Sequence, residues 1–256
     1  DVVVEEIDWL AEHWGARTIR FDDEMFGLNQ KWLHELCDKL AKRPYARDLN
    51  LWAYARIDQG LDETALDRLR RAGFRWLCYG IESVSDAVRT GVNKAGYDED
   101  EIERVVQMTE EAGIEVLANY MIGLPNDTAE SINETVEFAC ELNTAWANFY
   151  SVMPYVGSAL YEQTAREHPE WLPERVMGTW AAYSQHSYET CPLPTRTLSA
   201  ADVLAVLQEA GFDGPVIRLR EPGRQSDGRD CAAAVVKPVQ VQSLFGAIEH
   251  ALGLRA

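Results

Sequence analysis

The chain has 256 residues, 46% of them hydrophobic and 26% charged, as is typical of a water-soluble globular protein. Its net charge of −18 opposes binding to phosphate backbones, which argues against nucleic acid as a main partner. No apolar run reaches the ~18–20 residues of a membrane-spanning helix, so we expect no membrane insertion. The five cysteines are scattered and odd in number, which fits neither a disulfide framework nor a local metal motif and indicates a reducing cytoplasm.

A repeated unit organises the first part of the chain. Each unit has a helix-period stretch, usually closed by glycine, then a short apolar run and polar residues. In the first helix the apolar face is formed by Val3, Ile7, Leu10, Ala11 and Trp14. Predicted helices cover about 3–14, 30–42, 66–72, 98–112 and 128–142. Predicted strands cover about 18–21, 49–55, 74–81, 114–122 and 147–153.

This alternation of helix and strand, at about 30–35 residues per unit, predicts an α/β fold with a parallel sheet. A partial TIM-type (β/α) barrel and an open doubly wound sheet both satisfy the pattern, and both bind ligands at the carboxyl ends of their strands. No glycine-rich GxGxxG or GxxxxGK[ST] loop follows a strand, which counts against a nucleotide-binding open sheet. The pattern therefore favours the partial barrel.

Several residues of this barrel are predicted to serve packing alone. Four aromatic residues of the strands are expected to fill the barrel: Trp52, Tyr54, Tyr79 and Tyr120. Three cysteines are expected to be small core residues: Cys37 and Cys140 on helices and Cys78 in a strand.

Polar residues stand where the predicted strands end: Asp22, Asp23, Arg56, Asp58, Glu82, Ser83 and Asn119. Because the carboxyl ends of parallel strands meet at one mouth of a barrel, we expect these side chains to surround one pocket. Carboxylates accept hydrogen bonds from amines and hydroxyls, and Arg56 can bind a carboxylate, so the set suits a small zwitterionic ligand. The alternative is that the Asp and Ser residues only cap the helices that follow. Gly123-Leu124-Pro125 likewise predicts a tight turn when read by its spacing alone.

Six motifs occur in order along the chain: Phe21–Phe26, Ala55–Asp58, Tyr79–Ser83, Asn93–Lys94, Met121–Pro125 and Pro154–Ser158. Each is weak alone, but the ordered set resembles the radical S-adenosylmethionine (SAM) superfamily. The resemblance covers residues 1–204 and is nearest to the branch that often follows a cobalamin-binding domain.

The resemblance implies a partial barrel, without its first strand in this chain, that binds SAM and a 4Fe–4S cluster. It places Asp22 and Asp23 near the methionyl amine of SAM. It places Glu82 and Ser83 near other polar groups of SAM. Arg56 and Lys94 would face the carboxylate, and the Gly123–Pro125 loop would pass the adenine. Together with the strand-end residue, the implied cofactor-binding set is Asp22, Asp23, Arg56, Glu82, Ser83, Lys94, Asn119, Gly123 and Pro125.

The chain departs from the family pattern at the cluster. Three thiolates of a CxxxCxxC loop bind such a cluster in the family, and that loop would lie before Asp1. We therefore expect this chain alone to be inactive, as a fragment of a parent enzyme that acts on a small molecule and has an upstream cobalamin-binding domain as a possible partner. The alternatives are a non-catalytic binding or scaffold barrel and a signalling fusion.

The segment 205–256 departs in a different way. Its apolar runs around Val216 and Val235-Val236 resemble the second half of a response-regulator receiver domain. The half with the phosphoacceptor aspartate is missing, so Lys237 would have no phosphoryl group to neutralise. We expect a joined fragment without phosphorelay activity.

Overall fold

A computed structural model of the chain describes residues 2–23, 26–91, 96–184 and 192–203. Two of the sequence predictions, Lys94 and the receiver-like segment 205–256, lie outside these ranges.

The described ranges contain every helix and strand that the repeated unit predicts, with ends shifted by a few residues at most. The strands are β1 (Thr18–Arg20), β2 (Asn50–Arg56), β3 (Phe74–Glu82), β4 (Glu115–Ile122) and β5 (Trp146–Ser151). The helices are α1 (Val2–His13), α2 (Gln30–Leu40), α3 (Glu63–Ala72), α4 (Asp86–Thr90), α5 (Glu99–Glu111), α6 (Ala129–Leu142), α7 (Ala159–Glu167) and α8 (Pro173–Met177). Within the described ranges no helix has the length and apolarity needed to cross a bilayer.

The strands form one five-stranded sheet in chain order, β1-β2-β3-β4-β5. The β1–β2 and β2–β3 pairings are parallel, as helical crossovers require. Alternate residues of β2 are buried, namely Leu51, Ala53 and Ala55, so one face of this strand lies against the core. The predicted partial TIM-type barrel is confirmed.

The helices begin and end where local chemistry dictates. The side chains of Asp62, Asp98 and Thr128 accept hydrogen bonds from backbone N–H groups in the first turns of α3, α5 and α6. Gly73 ends α3 with a φ of +104°, and a Cβ there would lie 2.6 Å from the Leu49 Cβ. Only glycine fits that position.

The described residues divide into two compact units, one within 2–81 and 96–118 and the other within 82–91 and 119–203. In the first unit, α2 buries the predicted face of Leu33, Leu36, Cys37 and Leu40. In the second, three apolar side chains form a buried cluster: Val88, Leu124 and Val152.

The apolar face predicted for α1 was partly wrong. The helix buries Val4, Ile7 and Ala11, whereas Trp14 is 72% exposed. The reason is that α1 ends at His13, and the chain turns at Gly15 with a φ of +64°. Trp14 therefore lies beyond the last helical turn, where the helical period no longer determines which side is covered.

An ion pair anchors α1 to the chain that follows α2. Arg43 donates two hydrogen bonds of 2.7 Å to the Asp8 carboxylate, and the Tyr45 hydroxyl also donates to it. The hydrogen bond from Arg43 is the main cause that lowers the pKa of Asp8. Bidentate geometry and partial burial make this pair stronger than an ordinary surface ion pair.

Substitution of Asp8 by asparagine is expected to lower the free energy of unfolding by about 1 kcal/mol at neutral pH. Because the folded pKa lies below the unfolded one, the stabilisation is present above the unfolded pKa of 3.8 and is lost as pH falls through the folded value. Urea unfolding of both proteins at several pH values measures this, since titrations common to both cancel in the difference. A gap between the two proteins that persists unchanged in strong acid would contradict the assignment.

Candidate functional site

In the first unit, the polar residues after β1 and β2 form local ion pairs. The Arg20 guanidinium donates to the exposed Asp22 carboxylate at 2.7 Å. Arg56 donates two hydrogen bonds of 2.7 Å to Asp58. Asp58 therefore orients the Arg56 guanidinium, which remains about one third exposed. Asp23 lies beside Asp22 and is also exposed.

A residue that the sequence reasoning missed joins these two strand ends. The Gln59 side chain donates to the Phe26 carbonyl at 2.7 Å and accepts from the Arg56 amide at 3.1 Å. The Phe26 ring packs against Phe21 and Phe74 in the core of this unit. Gln59 therefore fixes the loop after β1 to the end of β2. The only sequence signal was its place directly after the Ala55–Asp58 motif.

In the second unit, Glu82 has a left-handed backbone with a φ of +69°. This conformation is costly for a residue with a Cβ, by about 1 kcal/mol or more. Glu82 ends β3, and its side chain is largely buried. Strain of this kind at a strand end clusters at functional sites in proteins. Asn143, which caps α6 with a φ of +46°, is the other such non-glycine residue in the described ranges.

The residues after Glu82 are held in place by buried hydrogen bonds. The Ser83 hydroxyl lies 3.1 Å from the Thr135 hydroxyl. The fully buried Arg89 donates to the Ser83 carbonyl at 2.5 Å and to the Val84 carbonyl at 2.7 Å. Buried arginines are rare unless bonded, so Arg89 is a structural part of this turn. The sequence reasoning missed Arg89, because nothing local distinguishes it from a surface arginine of a short helix.

The Asn119 side chain, on β4, lies beside β5. Its Oδ1 accepts a hydrogen bond of 3.1 Å from the Asn148 Nδ2. Tyr120, the next residue, is fully buried and stacks on Phe149. Tyr79 is also fully buried, but its hydroxyl lies 2.9 Å from the Thr109 hydroxyl of α5, so it packs between the sheet and a helix and does not fill the barrel as predicted. Trp52 and Tyr54 are only half buried.

The Gly123-Leu124-Pro125 turn is held together by one buried carboxylate. Asp127 accepts hydrogen bonds from the Gly123 amide at 2.9 Å, the Leu124 amide at 2.8 Å and the Ser131 hydroxyl at 2.9 Å. Burial raises the pKa of Asp127, and these hydrogen bonds oppose that rise. Gly123 has a φ of +86°, which favours glycine. The predicted turn is present.

Residues far along the chain complete this turn. The Thr195 and Thr197 hydroxyls donate to the Asp127 carbonyl at 2.8 and 3.0 Å. The Arg196 amide donates to the Pro125 carbonyl at 3.1 Å. The segment 195–197 therefore holds the turn in place by hydrogen bonds to its carbonyl groups. No local sequence pattern could have predicted these bonds, because the partners are about 70 residues apart.

The described residues do not fit an iron–sulfur cluster. Cys37 and Cys78 are both buried, on α2 and β3 respectively, and burial raises the pKa of each thiol to about 12. Cys140 is exposed on α6, which corrects its predicted place in the core: it falls on the solvent side of that helix. Among the residues the structure describes, no three His, Cys, Asp or Glu side chains form a metal-binding group.

Sequence comparison identifies the fold family. Residues 1–139, more than half of the chain, match the profile of the Radical SAM superfamily. An uncharacterized methyltransferase of Pyrococcus horikoshii is 27% identical over 160 residues, covering 62% of this chain and 34% of the relative. The anaerobic magnesium-protoporphyrin IX monomethyl ester cyclase of Rubrivivax gelatinosus is 31% identical over 164 residues, covering 63% of this chain and 29% of the relative. The chain thus spans about a third of these relatives.

Solved structures agree. The radical SAM methyltransferase TsrM of Kitasatospora setae, with tryptophan substrate and a SAM analogue bound, superposes with a TM-score of 0.55 at 25% identity, covering 64% of this chain and 33% of TsrM. Coproporphyrinogen III oxidase of Escherichia coli, a radical SAM enzyme, superposes at 0.53 with 19% identity over 77% of this chain and 41% of its own, which shows the shared fold. From the profile match and the confirmed partial barrel, we conclude that the chain belongs to the radical SAM superfamily.

Proposed function

We propose that this chain forms the SAM-binding part of a radical SAM enzyme that acts on a small molecule. The observation that carries the proposal is the strained Glu82 at the end of β3, inside the region that matches the superfamily. Backbone strain of this kind clusters at active sites and ligand clamps in proteins. In this superfamily, SAM on a reduced iron–sulfur cluster supplies the radical chemistry.

The proposed contacts follow the family residue by residue. Glu82 and Ser83 would bind polar groups of SAM, with Asn119 as a further polar contact. The turn that contains Gly123 and Pro125 would present its backbone to the adenine. The hydrogen bonds from its amides to the buried Asp127 carboxylate hold the backbone in one conformation, which suits that role.

Charged contacts are proposed for the strand ends after β1 and β2. Asp22 and Asp23 would accept hydrogen bonds from the methionyl amine, and Arg56 would bind the carboxylate. The ion pair with Asp58 already points the Arg56 guanidinium in one direction, which reduces the entropy lost on binding. Lys94 is proposed as a second carboxylate contact from the family alone.

Because the described residues do not fit the cluster, we propose that its ligands come from elsewhere in the whole enzyme. We also propose cobalamin as a second cofactor, bound by a companion domain, because relatives and neighbours include methyltransferases, and TsrM has been solved with cobalamin bound.

We further propose that the protein lies in the cytoplasm. The segment 205–256 is proposed to be a separate part of the chain without phosphorelay activity. A barrel that binds SAM without cleaving it is the second candidate, favoured by the absence of a cluster-binding group from the described residues.

Calorimetric titration with SAM tests the proposal. The double variant Arg56→Ala with Glu82→Ala is expected to bind SAM at least about tenfold more weakly, because two charged hydrogen-bonding groups are lost. The control is Glu101→Ala with Arg104→Ala, which removes an exposed ion pair from α5 without changing net charge and should bind SAM normally. Unchanged affinity in the first double variant would exclude both residues from the site. Stoichiometric iron and sulfide bound to this chain after reconstitution would contradict the proposed location of the cluster ligands.

A further inference from the structure

The loop after β1 is tied to the backbone of β2 at two points. The Phe21 amide donates a hydrogen bond to the Trp52 carbonyl at 2.9 Å, and the Phe26 amide donates to the Tyr54 carbonyl at 3.1 Å. The two aspartates of the proposed SAM site directly follow Phe21 in the chain, so they lie between these two anchor points. Their place relative to β2 therefore depends on how firmly each anchor point is held.

The Gln59 side chain reinforces the second anchor point. Its Nε2 donates to the Phe26 carbonyl at 2.7 Å, and its Oε1 accepts from the Arg56 amide at 3.1 Å. One planar amide group thus joins the loop after β1 to the residue that carries the guanidinium. Because the donor and the acceptor of an amide have a fixed geometry, the two backbone segments are held at one separation.

The space around Gln59 suits this bridge. Gln59 is the last residue of the short 3-10 turn Ile57–Gln59 and is only partly exposed. A Cβ on Gly27 would lie 2.7 Å from the Gln59 Nε2, so glycine at that position leaves the space that the amide occupies. The Phe26 ring is 2% exposed and packs against Phe74 with centroids 5.2 Å apart. The bridge therefore connects a buried, well-packed residue to the end of β2.

The charged groups of the proposed site have partners that set their direction but not their spacing. Asp22 accepts from Arg20 at 2.7 Å, and Asp58 accepts from Arg56 at the same distance. Each pair lies at the end of one strand, so neither pair relates one strand end to the other. An α-amino acid presents its amine and its carboxylate at a short, fixed separation, and binding both requires correctly spaced partners in the protein. Gln59 supplies a connection that sets this spacing.

We propose that Gln59 is a positioning residue that makes the site select the α-amino-acid end of SAM. It acts through Arg56 and through the loop that carries Asp22 and Asp23, and it does not itself contact the ligand. This inference rests on the proposed function and deepens it, because it assigns to one residue the recognition of one part of the ligand.

The test compares SAM with 5′-methylthioadenosine, which keeps the adenosine and the sulfur but lacks the amine and the carboxylate. Both ligands are titrated calorimetrically into the full chain. Gln59→Ala is expected to weaken SAM binding about tenfold, because the Phe26 carbonyl and the Arg56 amide lose the partner that they share. The same variant should bind methylthioadenosine within about twofold of the wild type, since the nucleoside needs neither charged group.

Asn50→Ala is the matched control. It removes a side-chain hydrogen bond of 3.3 Å from the Asn50 Nδ2 to the Thr18 hydroxyl. This bond also joins β1 to β2, but at the amino ends of the two strands. Asn50→Ala should therefore leave the affinity for both ligands unchanged.

A double-mutant cycle shows whether Gln59 acts through Arg56. In the Arg56→Ala background, Gln59→Ala should weaken SAM binding by no more than about threefold, because no guanidinium remains to be positioned. Partial unfolding of a variant is recognised separately, since it lowers the number of SAM molecules bound per chain and leaves the affinity of the folded fraction unchanged.

Three outcomes overturn the inference: equal losses for SAM and methylthioadenosine, equal losses in Gln59→Ala and Asn50→Ala, and an undiminished effect of Gln59→Ala in the Arg56→Ala background. If the wild type binds SAM and Gln59→Ala binds it as tightly, the inference is wrong while the proposed function stands. If the wild type does not bind SAM, the proposed function is wrong and this inference fails with it.

Discussion

Substitution of Asp127 by alanine is expected to lower the free energy of unfolding by about 3 kcal/mol, because three buried donors lose their acceptor. The donors are the amides of Gly123 and Leu124 and the Ser131 hydroxyl. Since the same carboxylate shapes the turn that we propose to face the adenine, SAM affinity should fall as well. Urea unfolding measures the first effect and calorimetric titration the second.

Asparagine at the same position separates shape from charge. Asp127→Asn keeps one oxygen acceptor for the two amides, so it should stay within about 1 kcal/mol of the wild type. Because burial raises the pKa of Asp127, the wild type should gain stability relative to this variant as pH falls from the folded pKa towards the unfolded value of 3.8. The exposed Asp202, which accepts from the Ser199 amide and hydroxyl, supplies the control, and Asp202→Ala should change stability little. Similar losses in Asp127→Ala and Asp202→Ala would contradict the role given to the buried carboxylate.

Substitution of Glu82 by alanine or by glycine is expected to weaken SAM binding equally, by about tenfold or more, because both remove the carboxylate. The two variants should differ in stability. At a φ of +69° glycine has no Cβ to strain the backbone, so Glu82→Gly should be about 1 kcal/mol more stable than Glu82→Ala. Calorimetry and urea unfolding of the pair distinguish a ligand-binding side chain from a backbone requirement.

Asn143→Gly is the matched control for Glu82, because Asn143 also has a left-handed backbone but caps the end of α6. Its substitution should leave SAM affinity unchanged. If Glu82→Gly binds SAM as well as the wild type, the carboxylate has no role in binding. If Glu82→Ala and Glu82→Gly are equally stable, the strain argument is wrong.

The pKa of Asp8 is lowered and that of Asp127 is raised, and sequence patterns predict neither shift. Both are aspartates in ordinary helical or turn sequences, and nothing in the neighbouring residues distinguishes them. Arg43 lowers the pKa of the half-exposed Asp8, whereas burial raises that of Asp127. The partners of Asp8 lie 35 and 37 residues away, so their effect depends on the packing of α1.

The local features of the candidate site could be predicted from the sequence, but the features that depend on distant contacts could not. Sequence patterns located the strand ends and the Gly123–Pro125 turn, because both follow from local periodicity and turn chemistry. They did not indicate that Glu82 has a strained backbone or that Arg89 is fully buried. Gln59 and Asp127 were missed as positioning residues for the same reason. Their side-chain hydrogen bonds leave no periodic pattern in the sequence from which their role could be predicted.

The sequence alone determined the order of helices and strands, the parallel character of the sheet and the family. These properties depend on helical and strand periods, on caps such as Thr128 and on glycine turns such as Gly73, all of which act over a few neighbouring residues. Only the tertiary structure decided that Cys140 and Trp14 are exposed and that the Thr195 hydroxyl donates to the Asp127 carbonyl. Those outcomes depend on which distant surfaces pack together, because burial and hydrogen bonding are properties of the assembled core.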